Sequence, residues 1–178
     1  NCFYISNTNI IDSQYEEFDA AMHAPKIPFY LVLGNHDRSG PDRYGKKVFE
    51  KKYGKTHYSF ENDGAHFIVL DDANDKFDQE QLDWFEKDLR GANKKYTFVL
   101  FHSPPFDPSG KPDADGTGHG LPDTESEKIM SVLLRHKSKI TLLVCGHVHG
   151  YWQGEYQGIP LVISGGAGAP LRKSGDDA

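Results

Sequence analysis

Three apolar segments of this sequence each end in a short polar loop that contains histidine. Residues 29–33 (FYLVL) lead into GNHD, residues 97–101 (TFVLF) into HSPP, and residues 140–145 (ITLLVC) into GHVHG. Near-continuous apolar runs of this length are typical of strands buried on both faces of a sheet that helices cover. In such α/β sheets, ligands bind beyond the carboxyl ends of the strands. If the three strands are parallel neighbours, the polar residues that follow them converge on one site.

The segments between these runs predict helices. Hydrophobic spacing and capping residues predict four of them, over residues 12–24, 42–53, 78–90 and 123–137. Asp12 or Ser13 is the expected cap of the first helix. Asp123, or Thr124 with Glu127 at capping-box spacing, is the expected cap of the last helix.

Further strands are predicted near both ends of the chain and in its middle. Residues 2–6 (CFYIS) predict a short strand, and the turn Asn62-Asp63-Gly64 predicts a β-hairpin. Residues 151–166 predict two more strands around a Gln157-Gly158 turn. Together the elements predict one layered α/β domain comprising residues 1–178. We expect this domain to be N-terminally incomplete, because the sequence opens in a strand-like segment without methionine.

The composition narrows the classes of protein that the chain can represent. The 178 residues are enough for one domain with a core, and 26% of them are charged, as in globular chains. A net charge of -6 argues against a general nucleic-acid binder but allows a small phosphorylated substrate at a metal site. Two cysteines make no disulfide framework, and no transmembrane segment is visible. The sequence determines neither the oligomeric state nor the compartment. Both a cytoplasmic location and, if an upstream signal was removed, an extracytoplasmic one stay open.

The GNHD loop contains three residues whose side chains are suited to metal binding or catalysis. The amide oxygen of Asn35 is a suitable ligand for a divalent cation. His36 is a candidate general acid, and the carboxylate of the adjacent Asp37 is a candidate to orient its ring. The plain alternative is a turn, since Asn, Asp and Gly34 all favour turns. We favour a functional loop because His36 adds nothing to a turn.

The other two loops supply imidazoles. His147 and His149 are two residues apart, so in an extended chain their side chains point to the same side and can meet one metal or two adjacent metals. The alternative is a pair of surface histidines on a turn. His102 precedes two prolines that stiffen the exit from its strand, and alone it would be read as a hydrogen-bonded histidine at a strand end. The presence of all three loops favours a metal site.

These motifs resemble those of the calcineurin-like metallophosphoesterase superfamily, particularly bacterial members akin to purple acid phosphatases and cyclic-nucleotide phosphodiesterases. GNHD at 34–37, FHSPPF at 101–106 and GHVHG at 146–150 occur in the order of that family, and SGGAGAP at 164–170 is similar to its glycine-rich end. The resemblance implies a two-sheet α/β/β/α sandwich and two divalent metal ions, Mn, Fe or Zn. It also implies hydrolysis of a phosphomonoester or phosphodiester by metal-activated water.

The resemblance also implies roles for individual residues. Asn35, His102 and His147 would bind one metal, and His149 would bind the other. His36, oriented by Asp37, would stabilise or protonate the leaving oxygen. The long loop over residues 103–122 would shape the substrate site, with His119 a candidate for a substrate contact.

The sequence departs from the family pattern at its start. The family's Asp-x-His motif and first strand are missing, Thr8 stands where a glycine belongs, and Asn9 stands where an aspartate bridges the two metals. The matched metal ligands are therefore all neutral, so we expect weak binding of one metal, or none. Three carboxylates, between which the sequence does not choose, are candidates to substitute for the missing one: Asp12, Asp71 and Asp72.

Two further functions stay open from the sequence. One is a catalytically impaired relative that acts as a binding or scaffold domain with at most one metal. The other is a simple zinc-binding module that uses His102, His147 and His149, which leaves Asn35 and His36 without a role.

Overall fold

Four helices and six strands lie in the part of the chain that this computed structural model describes, residues 6–110 and 119–166. The helices are α1 (Thr8–His23), α2 (Tyr44–Tyr53), α3 (Gln79–Gly91) and α4 (Asp123–Arg135). The strands are β1 (Tyr58–Asn62), β2 (Ala65–Val69), β3 (Tyr96–Leu100), β4 (Leu142–Cys145), β5 (Tyr151–Tyr156) and β6 (Ile159–Ser164). Short 3-10 turns cover Asn35–Arg38, Pro41–Arg43 and Lys137–Lys139.

The six strands form one mixed sheet in the order β1-β2-β3-β4-β6-β5. Its four central strands, β2, β3, β4 and β6, are parallel to one another, whereas β1 and β5 are antiparallel edge strands. The parallel pairing of β3 with β4 confirms the arrangement that the sequence predicts for two of the three loops. Because parallel strands end at the same edge of a sheet, the loops that carry His102 and His147 lie side by side.

Both hairpins that the sequence predicts are confirmed. Asp63 (φ 45°) and Gly64 (φ 81°) connect β1 to β2, and Gln157 (φ 51°) and Gly158 (φ 74°) connect β5 to β6. Positive φ at both central residues is the geometry of the type I′ turn, which suits the twist of the strands that it joins.

Two hydrophobic clusters stabilise the fold, and the candidate site lies where they meet. The larger, here called the main core, contains buried side chains of the sheet and of α3 and α4, among them Ile68, Phe85, Val99, Leu133, Leu143 and Leu161. The smaller, here called the small core, consists of Ile11, Tyr15, Leu33, Phe49 and Ala73. Leu33 and Ala73 of the small core flank the polar loops of the site, which therefore depend on both clusters.

The prediction of a buried strand over residues 29–33 is wrong. The segment has no regular secondary structure, and Phe29 and Tyr30 are 43% and 54% exposed. Its apolar side chains pack on aromatic residues instead: the ring of Tyr30 stacks 3.6 Å from that of Phe60 on β1. A strand requires a hydrogen-bonded neighbour, and no strand of the described residues pairs with this segment.

Two helix starts also differ from the prediction. Helix α1 begins at Thr8 rather than near Asp12, because the side chain of Asn7 accepts a hydrogen bond from the backbone N–H of Asn9 at 3.0 Å and caps the helix there. Helix α4 begins at Asp123 with Pro122 at its N-cap and no side-chain cap, so neither Asp123 nor Thr124 caps it. The remaining two helices lie where the sequence predicts them.

Candidate metal centre

His102 is fixed by hydrogen bonds on both sides of its backbone. Its N–H donates to Oδ1 of Asp72 at 2.8 Å, and its carbonyl oxygen accepts from the N–H of Gly146 at 2.9 Å. The second bond extends the pairing of β3 with β4 beyond the ends of both strands. It places the HSPP loop directly against the GHVHG loop.

The GHVHG loop turns sharply at His147, which has a left-handed backbone with φ 61°. The loop is then held by Gly165: the N–H of Gly165 donates to the carbonyl of Gly150 at 3.0 Å. A Cβ on residue 165 would lie 1.9 Å from the carbonyl oxygen of Val148, so only glycine permits this approach. With this left-handed backbone, residue 147 is not extended. The prediction that His147 and His149 point to the same side assumed an extended chain, and that assumption is wrong.

The GNHD loop forms a 3-10 turn over Asn35–Arg38. Oδ2 of Asp37 accepts a hydrogen bond from the N–H of Gly34 at 2.8 Å, which closes the turn and places Asn35 at its start. The turn that the sequence offers as the alternative is thus formed, with Asp37 stabilising it, while Asn35 faces His102 and its role as a ligand stays a prediction. The contact between Asp37 and the ring of His36 stays a prediction.

Three potential ligand atoms from the three loops lie together. Nε2 of His102 is 3.0 Å from Oδ1 of Asn35 and 3.0 Å from Nδ1 of His147. Each nitrogen of a neutral imidazole either donates or accepts a hydrogen bond. Nε2 of His102 therefore cannot donate to the amide oxygen of Asn35 and at the same time accept from Nδ1 of His147. The structure thus brings together the three residues that the sequence assigns to one metal.

Glycine makes this convergence possible at the GNHD loop. A Cβ on Gly34 would lie 2.9 Å from Cε1 and 3.1 Å from Nδ1 of His102. The imidazole therefore occupies space that any side chain at position 34 would fill, and the backbone of the GNHD loop lies directly against the ring.

The histidines of the cluster are held in the neutral form that binds metals. Burial, together with the neighbouring His147, His36 and His149, lowers the pKa of His102 to about 3. Burial and the neighbouring His119 lower the pKa of His147 as well, against the opposing influence of Asp75. These couplings also show that His36, His149 and His119 lie near the cluster.

His119, which the sequence placed least firmly, lies beside the cluster. Its ring centroid is 5.7 Å from that of His147, and its backbone N–H donates to Oδ2 of Asp107 at 2.8 Å. Asp107 follows the HSPPF motif, so the hydrogen bond returns the end of the long loop to its beginning. In the sequence, this hydrogen bond was signalled only by the positions of Asp107 and His119 near the two ends of the long loop.

Asn9 is not brought to the cluster. It lies in the first turn of α1 and is exposed, and within the described ranges its side chain forms no hydrogen bond with another predicted ligand. Asn7 caps α1 two residues before Asn9, and the place of Asn9 after the first predicted strand stays a prediction. Asn9 remains a predicted site residue only on the family resemblance.

The three carboxylates that could substitute for the missing aspartate have other partners. Asp12 accepts from the hydroxyl of Tyr44 at 2.9 Å, and Asp71 pairs with Lys46 at 2.6 Å. Asp72 binds backbone N–H groups. Among residues 6–110 and 119–166, no group of three or more His, Cys, Asp or Glu side chains is arranged to hold a metal. The candidate centre therefore rests on two histidines and an amide.

The mixed sheet, with the GNHD, HSPP and GHVHG loops gathered at one edge, is the architecture of a metallophosphoesterase. A family model described as calcineurin-like phosphoesterase matches residues 5–151, most of the chain. The chain therefore belongs to the calcineurin-like phosphoesterase family, and the family and fold type predicted from the three motifs are confirmed.

Individual relatives are more distant and longer. The chain is 30% identical over 83 residues to a probable cyclic nucleotide phosphodiesterase of Fibrobacter succinogenes, which covers 44% of this chain and 31% of that protein. It is 25% identical over 166 residues to the probable purple acid phosphatase 20 of Arabidopsis thaliana, which covers 83% of this chain and 38% of that one. The chain thus spans between about a third and two fifths of the length of these relatives.

A solved structure has the same fold. The purple acid phosphatase from yellow lupin (Lupinus luteus) seeds superimposes with a TM-score of 0.71 at 21% sequence identity, over 89% of this chain and 35% of that chain. At this identity the likeness concerns the fold. As for membranes, no helix within the described ranges is long and apolar enough to cross one.

Proposed function

We propose that the protein hydrolyses a phosphate ester at a divalent metal held by Asn35, His102 and His147. The observation that carries this proposal is the gathering of Oδ1 of Asn35 and Nδ1 of His147 around Nε2 of His102, each at 3.0 Å. Two ligand atoms that bind one metal at about 2.1 Å and at right angles are about 3.0 Å apart. The spacing of the atoms suits shared coordination as well as hydrogen bonding.

The chemistry of the ligand set supports the same proposal. Imidazole and amide oxygen suit Mn, Fe or Zn, and the low pKa of His102, about 3, keeps its ring unprotonated at neutral pH. A bound divalent ion supplies a Lewis acid for a phosphate oxygen and lowers the pKa of water. Because all three ligands are neutral, we propose weak binding of one metal, with His149 the ligand of any second one.

His36 is the proposed general acid. It is exposed, so a substrate can reach it, and it lies near enough to His102 to lower the pKa of that ring. Its part is to donate a proton to the leaving oxygen. Asp37 holds the turn that presents His36, through its hydrogen bond with the N–H of Gly34 at 2.8 Å.

The substrate is proposed to be a small phosphomonoester or phosphodiester. One relative is named as a phosphodiesterase and another as a phosphatase, so both ester classes have to be tested. The test is hydrolysis of p-nitrophenyl phosphate and of bis(p-nitrophenyl) phosphate by the wild-type protein with added Mn²⁺, Fe²⁺ or Zn²⁺. Metal content after dialysis is measured in parallel.

Three variants give the test its specificity. We expect His102→Ala and Asn35→Ala to lose metal binding and hydrolysis together. We expect His36→Ala to retain the metal and to fall by about 10²–10⁴-fold in rate on an alkyl phosphate, whose leaving oxygen needs a proton. On the p-nitrophenyl esters the loss should be much smaller, because p-nitrophenolate leaves without one. His23→Ala is the matched control, because His23 is exposed at the end of α1 and its ring nitrogen Nδ1 is hydrogen-bonded to the backbone carbonyl of Asp19 at 2.7 Å. Metal-dependent hydrolysis that survives in His102→Ala would refute the proposal.

A second candidate function is a binding or scaffold domain that has lost catalysis. The observation in its favour is the neutral ligand set, since no carboxylate of the described residues joins Asn35, His102 and His147. Wild-type protein that binds one metal at these residues, yet turns over neither ester, would support this function over hydrolysis.

A further inference from the structure

The loop that follows β2, residues 71–75 (DDAND), contacts both sides of the candidate centre. Asp72 in this loop is fully buried. Its Oδ1 accepts from the N–H of His102 at 2.8 Å and its Oδ2 accepts from the N–H of Ser103 at 2.6 Å. The proposed reaction gives this carboxylate no part as a ligand or as an acid.

We propose that Asp72 is a positioning residue that fixes the orientation of the His102 imidazole for metal binding. The proposal rests on the metal centre proposed above and adds to it a supporting residue. The two oxygens of one carboxylate accept from two consecutive backbone N–H groups, which fixes the orientation of the two peptide units on either side of the Cα of His102. With the carbonyl of His102 held by Gly146 at 2.9 Å, the backbone on each side of the imidazole is constrained.

Only a carboxylate can make this pair of contacts at position 72. An asparagine has one acceptor oxygen, and its NH₂ group would face one of the two backbone N–H donors. A buried N–H group that loses its acceptor is costly, because no water replaces the lost bond. The turn after β3 would therefore relax in Asp72→Asn, and the ring of His102 would move with it.

The rest of the loop binds the opposite side of the centre. Asp71 pairs with Lys46 of α2 at 2.6 Å. Nη1 of Arg38, at the end of the GNHD turn, is 3.5 Å from Oδ1 of Asn74. One short segment thus connects the loop of Asn35 to the loop of His102. The relative position of these two ligands therefore depends on residues 71–75, and Asp72 is the residue of this segment that holds His102.

The experiment compares wild-type protein with Asp72→Asn and with the control Asp88→Asn. Asp88 is a partly buried carboxylate that likewise has two hydrogen-bond partners, here the side chains of Ser59 at 3.0 Å and His66 at 2.6 Å. It lies on α3 with its partners on β1 and β2, away from the candidate centre. Mn²⁺ affinity is measured by calorimetry with the metal alone. We expect Asp72→Asn to bind Mn²⁺ about 10–100-fold more weakly, as is typical when a residue that orients a metal ligand is lost, and Asp88→Asn to bind as the wild type does.

A second measurement on metal-free protein separates the failure of this inference from the failure of the proposed function. In Asp72→Asn, we expect the amides of His102 and Ser103 to lose protection from hydrogen exchange and the ring resonances of His102 to shift. Asp88→Asn should leave both unchanged. If the wild type binds no Mn²⁺, the proposed metal centre fails while these ring shifts still test the positioning of His102. Unchanged ring resonances, or unchanged Mn²⁺ affinity in folded Asp72→Asn, would overturn the inference.

Discussion

Any side chain at position 34 would overlap with the imidazole of His102, a proposed metal ligand. A Cβ there would lie 2.9 Å from Cε1 of His102, so Gly34→Ala must displace the ring or the loop. We expect a loss of about 1–3 kcal/mol in the free energy of unfolding from overpacking, and Mn²⁺ binding at least about tenfold weaker. Urea unfolding and calorimetry measure the two effects.

A second glycine of the site provides the control. A Cβ on Gly150 would meet nothing within 4 Å, although this residue belongs to the GHVHG motif. We expect Gly150→Ala to bind Mn²⁺ like the wild type. Equal affinities for the Gly34→Ala and Gly150→Ala proteins would show that the contact between Gly34 and His102 does not matter for metal binding.

The buried ring of His102 makes the stability of the metal-free protein depend on pH. Its pKa is about 3 in the folded protein and about 6.5 in the unfolded chain. Between these values the unfolded chain binds a proton that the folded protein does not, so stability falls as pH is lowered from 6.5 towards 3. The slope from this group reaches about 1.4 kcal/mol per pH unit.

The measurement is urea unfolding of wild type and His102→Gln in EDTA between pH 7 and pH 4. Other titrating groups act on both proteins, so the difference between the two curves isolates His102. We expect the wild type to lose stability relative to His102→Gln as the pH falls. Parallel curves would contradict the low pKa of His102.

At the residue scale, the sequence predicts what lies within one loop better than what lies between loops. Asn35, His102 and His147 follow from motifs whose order in the chain is informative. The cap of α1 at Asn7 was not foreseen from the sequence, and the role of Asn9 as a ligand stays a prediction. Asp72 was noticed only as a spare carboxylate, since its hydrogen bonds with the backbone of residues 102 and 103 leave no trace in the sequence.

At the scale of elements, the sequence predicts helices and hairpins well, because residues close in the chain determine them. The two hairpins and helices α2 and α3 follow from turn residues and apolar periodicity. Residues 29–33 show the limit: their apolar pattern is right for a strand, but pairing depends on a neighbour that no local pattern guarantees. The ring of Tyr30 stacks instead on Phe60, which continues into Phe67 and Phe98 with neighbouring rings 4.9 and 5.0 Å apart, and Leu33 is buried in the small core.

The difference between a real cap and an apparent one can be measured. The side chain of Asp78 accepts from the N–H of Gln81 at 2.8 Å and caps α3, so we expect Asp78→Ala to lower the free energy of unfolding by about 1 kcal/mol. Thr124 has the sequence of a capping box but lies within α4, which has no side-chain cap. Thr124→Ala should change stability by less than half as much. Equal losses in urea unfolding would mean that the cap of α3 contributes nothing of its own.

At the scale of the whole molecule, the candidate centre joins two structural units. His102 and His147 follow strands of the sheet, whose side chains form the main core. Asn35 follows Leu33 of the small core, and its turn packs against the start of α2, where the N–H of Gly45 donates to the carbonyl of Ser39 at 2.8 Å. A metal bound by all three residues would therefore connect the small core to the sheet.

This connection predicts where metal binding stabilises the protein. In EDTA, we expect the amides of α1 and α2 to exchange faster than those of β3 and β4, because the small core has few buried side chains. Mn²⁺ at 100 times its dissociation constant should slow exchange through α2, since binding adds up to about 2.7 kcal/mol to the state that binds it. Mass spectrometry of deuterium uptake measures both. In Asn35→Ala, Mn²⁺ should no longer protect α2; a wild-type α2 that Mn²⁺ leaves unprotected would show that Asn35 is not a ligand.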